Sequence, residues 1–235
     1  MTDSAFLRAA SGWTLGALAL VLAWDASGLD LALARLAGDA AGFAWRGDGW
    51  LYQALHEGPR LAGWALLAGL FAAIRWPVGA LRRLPAGERA WLAGSVLLAL
   101  LAVSLVKRVS ATSCPWDLRE FGGNALYVSH WVFGSVDGGG GHCFPAGHAS
   151  TGFAWVAGWF ALRERAPPAA RVWLALALGI GLLLGLVQQL RGAHYMSHTL
   201  WTAWICWTVA LAMDAARRAL GQLSLHWEGR RHGQV

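Results

Sequence analysis

Three short runs of the chain gather the residue types that bind anions and move protons. The first is Lys107-Arg108-Val109-Ser110-Ala111-Thr112-Ser113-Cys114-Pro115-Trp116-Asp117. The second is His142-Cys143-Phe144-Pro145-Ala146-Gly147-His148-Ala149-Ser150. The third is Arg191-Gly192-Ala193-His194-Tyr195-Met196-Ser197-His198. Lys107 is the single lysine in a chain with eighteen arginines. A compact ammonium binds phosphate as a point charge, which the planar guanidinium fork does not imitate. Pro145 and Gly147 allow a tight turn into a helix, and the free amides and dipole of a helix amino terminus attract phosphate. His148 in that first turn is placed to protonate a leaving oxygen. The four-residue spacing of His194 and His198 puts them on one helical face. That spacing also suits zinc, but the run offers neither a third ligand nor an acidic general base.

The elements that position these runs belong to a membrane. Of 235 residues 57% are hydrophobic and only 14% charged, too few charges to cover a soluble surface of this size. Sixteen tryptophans fit the water–lipid boundary. Six stretches are apolar enough to cross a bilayer as helices: 9–24, 61–74, 90–106, 148–162, 172–190 and 199–213. The expectation is an all-α, polytopic six-transmembrane-helix bundle, one domain over 1–235, with 219–235 as a polar cytoplasmic tail. The first stretch reads as a retained anchor, because Trp24-Asp25-Ala26-Ser27-Gly28 is a poor cleavage signal. With the amino terminus inside, twelve of nineteen cations fall on inner segments, among them Arg82, Arg83, Arg163, Arg165, Arg217 and Arg218. The positive-inside rule then puts both termini in the cytoplasm and all three clusters outside. The net charge of +6 is therefore a topology signal and not a mark of nucleic-acid binding. Of eight histidines, His56, His130, His142, His148, His194 and His198 fall on the outer side, while His226 and His232 lie in the tail. Cys114 and Cys143 also lie outside, one beside each of the first two clusters, available for a disulfide in an oxidising periplasm.

Taken together, the clusters resemble the type 2 phosphatidic acid phosphatase superfamily. Its pattern is Lys-x6-Arg-Pro, Pro-Ser-Gly-His and Ser-Arg-x5-His-x3-Asp. Lys107 is followed six residues on by Cys114-Pro115, and Pro145-Ala146-Gly147-His148 carries alanine for serine. His194 has Gln188 six residues before it, in the arginine's place, and His198 stands at the aspartate position. The resemblance implies that Lys107 holds phosphate, His148 protonates the leaving oxygen, and His194 attacks phosphorus to form a phosphohistidine. It also implies that amides around Ala146 and Gly147 steady the developing charge, and that no metal or other cofactor is needed. Arg108, Arg119 or Arg191 is available to replace the missing clamp. His198 would orient His194, or in a rival register be the nucleophile itself.

The expected protein is a metal-independent lipid phosphatase of the bacterial inner membrane, with its site facing the periplasm. Undecaprenyl diphosphate, phosphatidylglycerol phosphate, phosphatidic acid and lipid A are candidate substrates, and the bilayer is the partner; no protein partner is evident. The alternatives are a lipid-to-lipid phosphotransferase of the same family and a haem-binding electron-transfer protein.

Overall fold

The computed structural model describes residues 3–47, 49, 53–132 and 134–232; the side chains of His56, His226 and His232 lie outside what is described. Among the described residues α-helices run α1 Asp3–Ser27, α2 Leu29–Arg35, α3 Gly58–Ala72, α4 Ala86–Val109, α5 Gly147–Phe153, α6 Ala157–Leu162, α7 Pro167–Leu190 and α8 Met196–His232. A 3-10 turn, Ala154–Val156, joins α5 to α6 into one rod. A two-stranded antiparallel ribbon, β1 Gly38–Asp39 and β2 Gly42–Phe43, is the whole sheet content of the described residues.

Every stretch expected to be helical is helical. Among the described residues three helices are long and apolar enough to cross a membrane: Ser4–Ser27, Ala86–Val109 and Pro167–Leu190. The other three expected spans fall short of that measure. α3 has 15 residues, the 147–162 rod changes pitch at its centre, and α8 carries Asp214, Arg217 and Arg218 midway. The last helix also runs on to His232, so the segment expected as a tail is helical over most of its length.

The helices pack closely because small residues allow it. A Cβ on Gly152 would stand 2.2 Å from the backbone nitrogen of Gly181, so α5 and α7 meet backbone to backbone. Val96, Ala99 and Val103 of α4, Ala149 and Phe153 of α5, and Cys206 of α8 fill the centre. Indole N–H groups stitch the bundle where hydrocarbon offers them no other acceptor. Trp204 and Trp207 donate to the carbonyl and hydroxyl of Thr14, at 3.0 and 2.9 Å, tying α8 to α1. Trp91 donates to the Met213 carbonyl at 2.8 Å.

The two ends of the bundle differ. At one end, buried Asp214 accepts from Arg163 at 2.7 Å, Arg218 at 3.0 Å and Arg217 at 3.1 Å, and Glu88 accepts from Arg165 at 2.8 Å. Lys107 lies nineteen residues along α4 from Glu88, roughly 28 Å away at 1.5 Å per residue. At that far end the loops are pinned together. The amides of His142 and Cys143 donate to the carbonyls of Ser110 and Thr112 at 2.8 and 3.0 Å. The sulfurs of Cys114 and Cys143 are bonded, with Cα atoms 5.2 Å apart. Buried Asp137 accepts from the amide and hydroxyl of Ser113 at 2.7 and 2.6 Å. Asp117 accepts from the Cys114 amide at 3.2 Å, so it caps its own loop and does not pair with a cation of the clusters.

Two outcomes follow. Peptide mapping without reductant should recover Cys114 and Cys143 in one cross-linked species; finding both thiols free to alkylate would refute the bridge. With the cysteines 29 positions apart in sequence, loss of the link should cost about 3 kcal/mol, read as a lowered unfolding midpoint for Cys114→Ser with Cys143→Ser. Asp214→Ala should cost about 3–5 kcal/mol, because three arginines then share one end of the bundle without their carboxylate. A midpoint equal to wild type would contradict it.

Candidate active site

At the Lys107 end the helices part around a cavity of about 510 Å³. Its polar wall is made by Lys107 of α4, Gly147 and His148 of α5, Gln188 of α7 and His194, with His142 and Cys143 above them. Its other wall is apolar: Trp64 of α3, Leu97, Leu100 and Leu101 of α4, and Trp155. Trp64 and Leu101 are 60% and 48% exposed, so this wall continues onto the outer surface of the bundle. Lys107 reaches the cavity along Gly147, its methylene stem 3.6 Å from where a Cβ on that glycine would be.

His194 is placed by a helix terminus. α7 ends at Leu190 with Arg191 as its cap, and Gly192 takes the left-handed conformation, φ 75°. The Gly192 amide donates to the Gln189 carbonyl at 2.9 Å and the Ala193 amide to that of Gln188 at 2.8 Å. This double bond pattern is the Schellman ending, which needs a residue without steric cost at positive φ. The chain reverses there, and His194 comes down over the start of α5. Trp116 fixes the turn from outside by donating its amide to the Gly192 carbonyl at 2.9 Å.

The histidine pair is not arranged as two residues on one helix. α8 begins at Met196, so His194 precedes it in the turn and only His198 rides it. Their Nδ1 atoms are 3.4 Å apart. His194 lines the cavity, whereas His198 stands behind it, 1% exposed and walled by the rings of Phe144, Tyr195 and His130. Burial holds the His194 imidazole well below the usual histidine range, and the nearby charges of Lys107, His198 and His148 push the same way. It is therefore a neutral base with an available lone pair near pH 7.

Three residues expected at phosphate do not face the cavity. Arg108 follows Lys107 by one residue, about 100° round the helix, and is exposed. Arg191 is buried and donates to Oε1 of Gln188, which lines the cavity, at 3.0 Å. The amide of Ala146 is already committed, donating to the His198 carbonyl at 3.2 Å. Thr202 holds the same turn by donating to the Ala146 carbonyl at 3.1 Å. Arg119 lies on the loop and donates to the Asn124 carbonyl at 3.2 Å. Among the described residues, the grouping of possible metal donors is Cys114, Asp117 and Cys143, and its two sulfurs are bonded to each other.

Sequence reasoning missed three participants. Arg60 of α3 lines the cavity mouth. Asp30 is buried and caps α8 from another helix, its carboxylate taking the Ser197 amide at 3.0 Å and the Ser197 hydroxyl. Asp25 accepts from His130 Nε2 at 3.2 Å, and from the indoles of Trp131 and Trp201 at 3.0 and 2.8 Å. Acids at the end of an apolar helix were the available signal, since such groups are costly there without a task.

No curated protein and no solved structure matches the chain. The family model of the PAP2 superfamily does match, over residues 89–220, a segment that holds all three clusters from Lys107 to His198. That match covers more than half of the chain, which therefore belongs to the PAP2 superfamily, the type 2 phosphatidic acid phosphatases and their relatives.

Proposed function

We propose that the protein hydrolyses the phosphate monoester or diphosphate of a membrane lipid, through a phosphohistidine on His194, at the periplasmic face of the bacterial inner membrane. The observation that carries this reading is one cavity with two kinds of wall. Lys107, His148 and His194 meet at its polar side, and Trp64 and Leu101 lead from its apolar side to the surface that acyl chains would cover. A lipid phosphate entering sideways keeps its tails in hydrocarbon while its headgroup meets the ammonium.

In the proposed reaction His194 Nδ1 is engaged by His198, leaving Nε2 for phosphorus. The N–P bond forms as the bond from phosphorus to the lipid oxygen breaks, and His148 gives that oxygen its proton. The neutral His148 then takes a proton from water, whose oxygen displaces the imidazole and releases inorganic phosphate. Lys107, and Gln188 at its side of the cavity, face the charge on the equatorial oxygens. The arginine-rich end of the bundle lies away from the cavity, which supports an outward-facing site, and the Cys114–Cys143 bridge beside the cavity suits an oxidising compartment.

The test is release of inorganic phosphate from phosphatidic acid, phosphatidylglycerol phosphate, undecaprenyl diphosphate and lipid A, without acceptor lipid and with excess chelator. Wild type should release it; His194→Ala should be inactive, and His148→Ala should lose roughly 10²–10⁴-fold. His198→Ala should be impaired less than His194→Ala. Equal rates for wild type and His194→Ala would overturn the assignment. Because burial depresses the His194 pKa below 6.5, this base stays unprotonated as pH falls through 6.5. The acid limb of kcat/KM attributable to it should lie below that value, and a limb centred above it would contradict the nucleophile's environment.

A further inference from the structure

Attack by His194 on phosphorus turns a neutral, buried imidazole into a phosphoimidazolium cation, and a buried cation without counter-charge is costly. The groups in contact with it on the protein side are neutral, the Cys143 backbone and the imidazole of His198 3.4 Å away, and Lys107 faces the same space with a positive charge. A counter-charge must come from further back. Two acids approach from the first two helices. Asp30 is taken up by the amino terminus of α8, by the Ser197 hydroxyl and by the Trp24 indole at 2.9 Å. Asp25 is different. Its Oδ2 receives His130, Trp131 and Trp201, while its Oδ1 is buried and has no hydrogen-bond partner among the described residues.

A continuous line of rings joins Asp25 to the nucleophile. His130 bonds to Asp25 at 3.2 Å, with side chains only 9% and 6% exposed. The His130 ring stacks on Phe144 at 4.2 Å and presents itself edgewise to His198 at 6.1 Å between centroids. His198 then touches His194. We propose that Asp25, held through His130 against His198, is the counter-charge that stabilises the phosphohistidine on His194. The inference rests on the phosphatase reading given above. Asp25 and His130 are positioning residues here; neither meets substrate, and no proton need move to the carboxylate for its charge to act. Asp25 also lies outside the matched segment 89–220, so the site draws on a part of the chain that the family match does not reach.

The experiment uses purified full-length protein in mixed micelles, with whichever of phosphatidic acid, phosphatidylglycerol phosphate, undecaprenyl diphosphate or lipid A the wild type hydrolyses. Asp25→Asn keeps size and an acceptor for the two indoles but removes the charge. It should lower kcat about tenfold and leave KM within about twofold, the mark of an interaction made only as the charge develops. In a His198→Asp background, a carboxylate stands directly against His194, and the same Asp25→Asn change should cost less than twofold. A purely structural Asp25 would cost the same in both backgrounds, and that result would overturn the inference, as would an unchanged kcat in Asp25→Asn alone. Should His198→Asp fail to fold, His130→Asn decides: alone and combined with Asp25→Asn it should give one common loss, whereas multiplying losses would overturn the chain of contacts. Wild type that releases no phosphate from any of the four lipids overturns the phosphatase reading, and this inference with it; an active wild type with the failures named above overturns this inference alone.

Discussion

The peptide at Ala146 is where the two halves of the site are fastened. Its amide donates to the His198 carbonyl, and Thr202, one turn further along α8, donates to both the Ala146 and His198 carbonyls at 3.1 and 2.8 Å. These bonds fix the start of α5, which carries His148, against the start of α8, which carries His198. The proposed proton donor His148 sits on α5 and the proposed nucleophile His194 in the turn ahead of α8, and their separation matters at the scale of an ångström. Each bond is worth only about 1 kcal/mol in net terms. In a buried junction the larger quantity is the cost of leaving such a group unmade, and that keeps the arrangement unique. The same bond explains why Ala146 does not offer its amide to substrate.

Much of this was legible along the chain because its causes are local. Apolar length marks membrane helices whatever their neighbours, and all six stretches are helical. Lys107, Gly147, His148 and His194 stand out by residue type and spacing, and the cavity includes all four. What escaped was set by contacts between distant residues. No spacing rule tells that Asp30 caps a helix 167 positions away, or that Arg191 turns inward to Gln188 instead of towards the cavity. The helical spacing of His194 and His198 even pointed to a wrong cause. They meet because Gly192 reverses the chain ahead of α8, a backbone event that a face-of-helix argument does not contain. Arg108 failed for the opposite reason, since its neighbour Lys107 already occupied the one direction that faces inward.

The tryptophans show how an apolar composition still carries specificity. Interface anchoring accounts for their number, but the structure uses several as donors between helices. Thr14 illustrates the economy of this. Its hydroxyl donates back to the Ala10 carbonyl at 2.8 Å and receives the Trp207 indole, while its own carbonyl receives Trp204. In a medium without water these bonds select one rotation of α1 against α8. That rotation in turn sets which side of α1 carries Asp25 towards His130, so packing in the middle of the bundle is linked to the electrostatics of its end.

A common feature connects the two departures from the family pattern. Where a guanidinium is expected near the phosphate there is Gln188, with Arg191 bonded behind it. Where a carboxylate is expected beside the nucleophile there is His198, with His130 and Asp25 behind it. In both places a neutral group makes the contact and the formal charge sits one or two residues further out. Coulomb energy falls as the inverse of distance, so at an effective dielectric of about 20 a unit pair gives about 4 kcal/mol at 4 Å and about half that at 8 Å. Direct hydrogen bonds from neutral donors replace part of the difference. A withdrawn charge also grips the resting substrate less than a contacting one. Distance weakens its hold on resting substrate and on developing charge alike, and only the part that acts on developing charge accelerates chemistry.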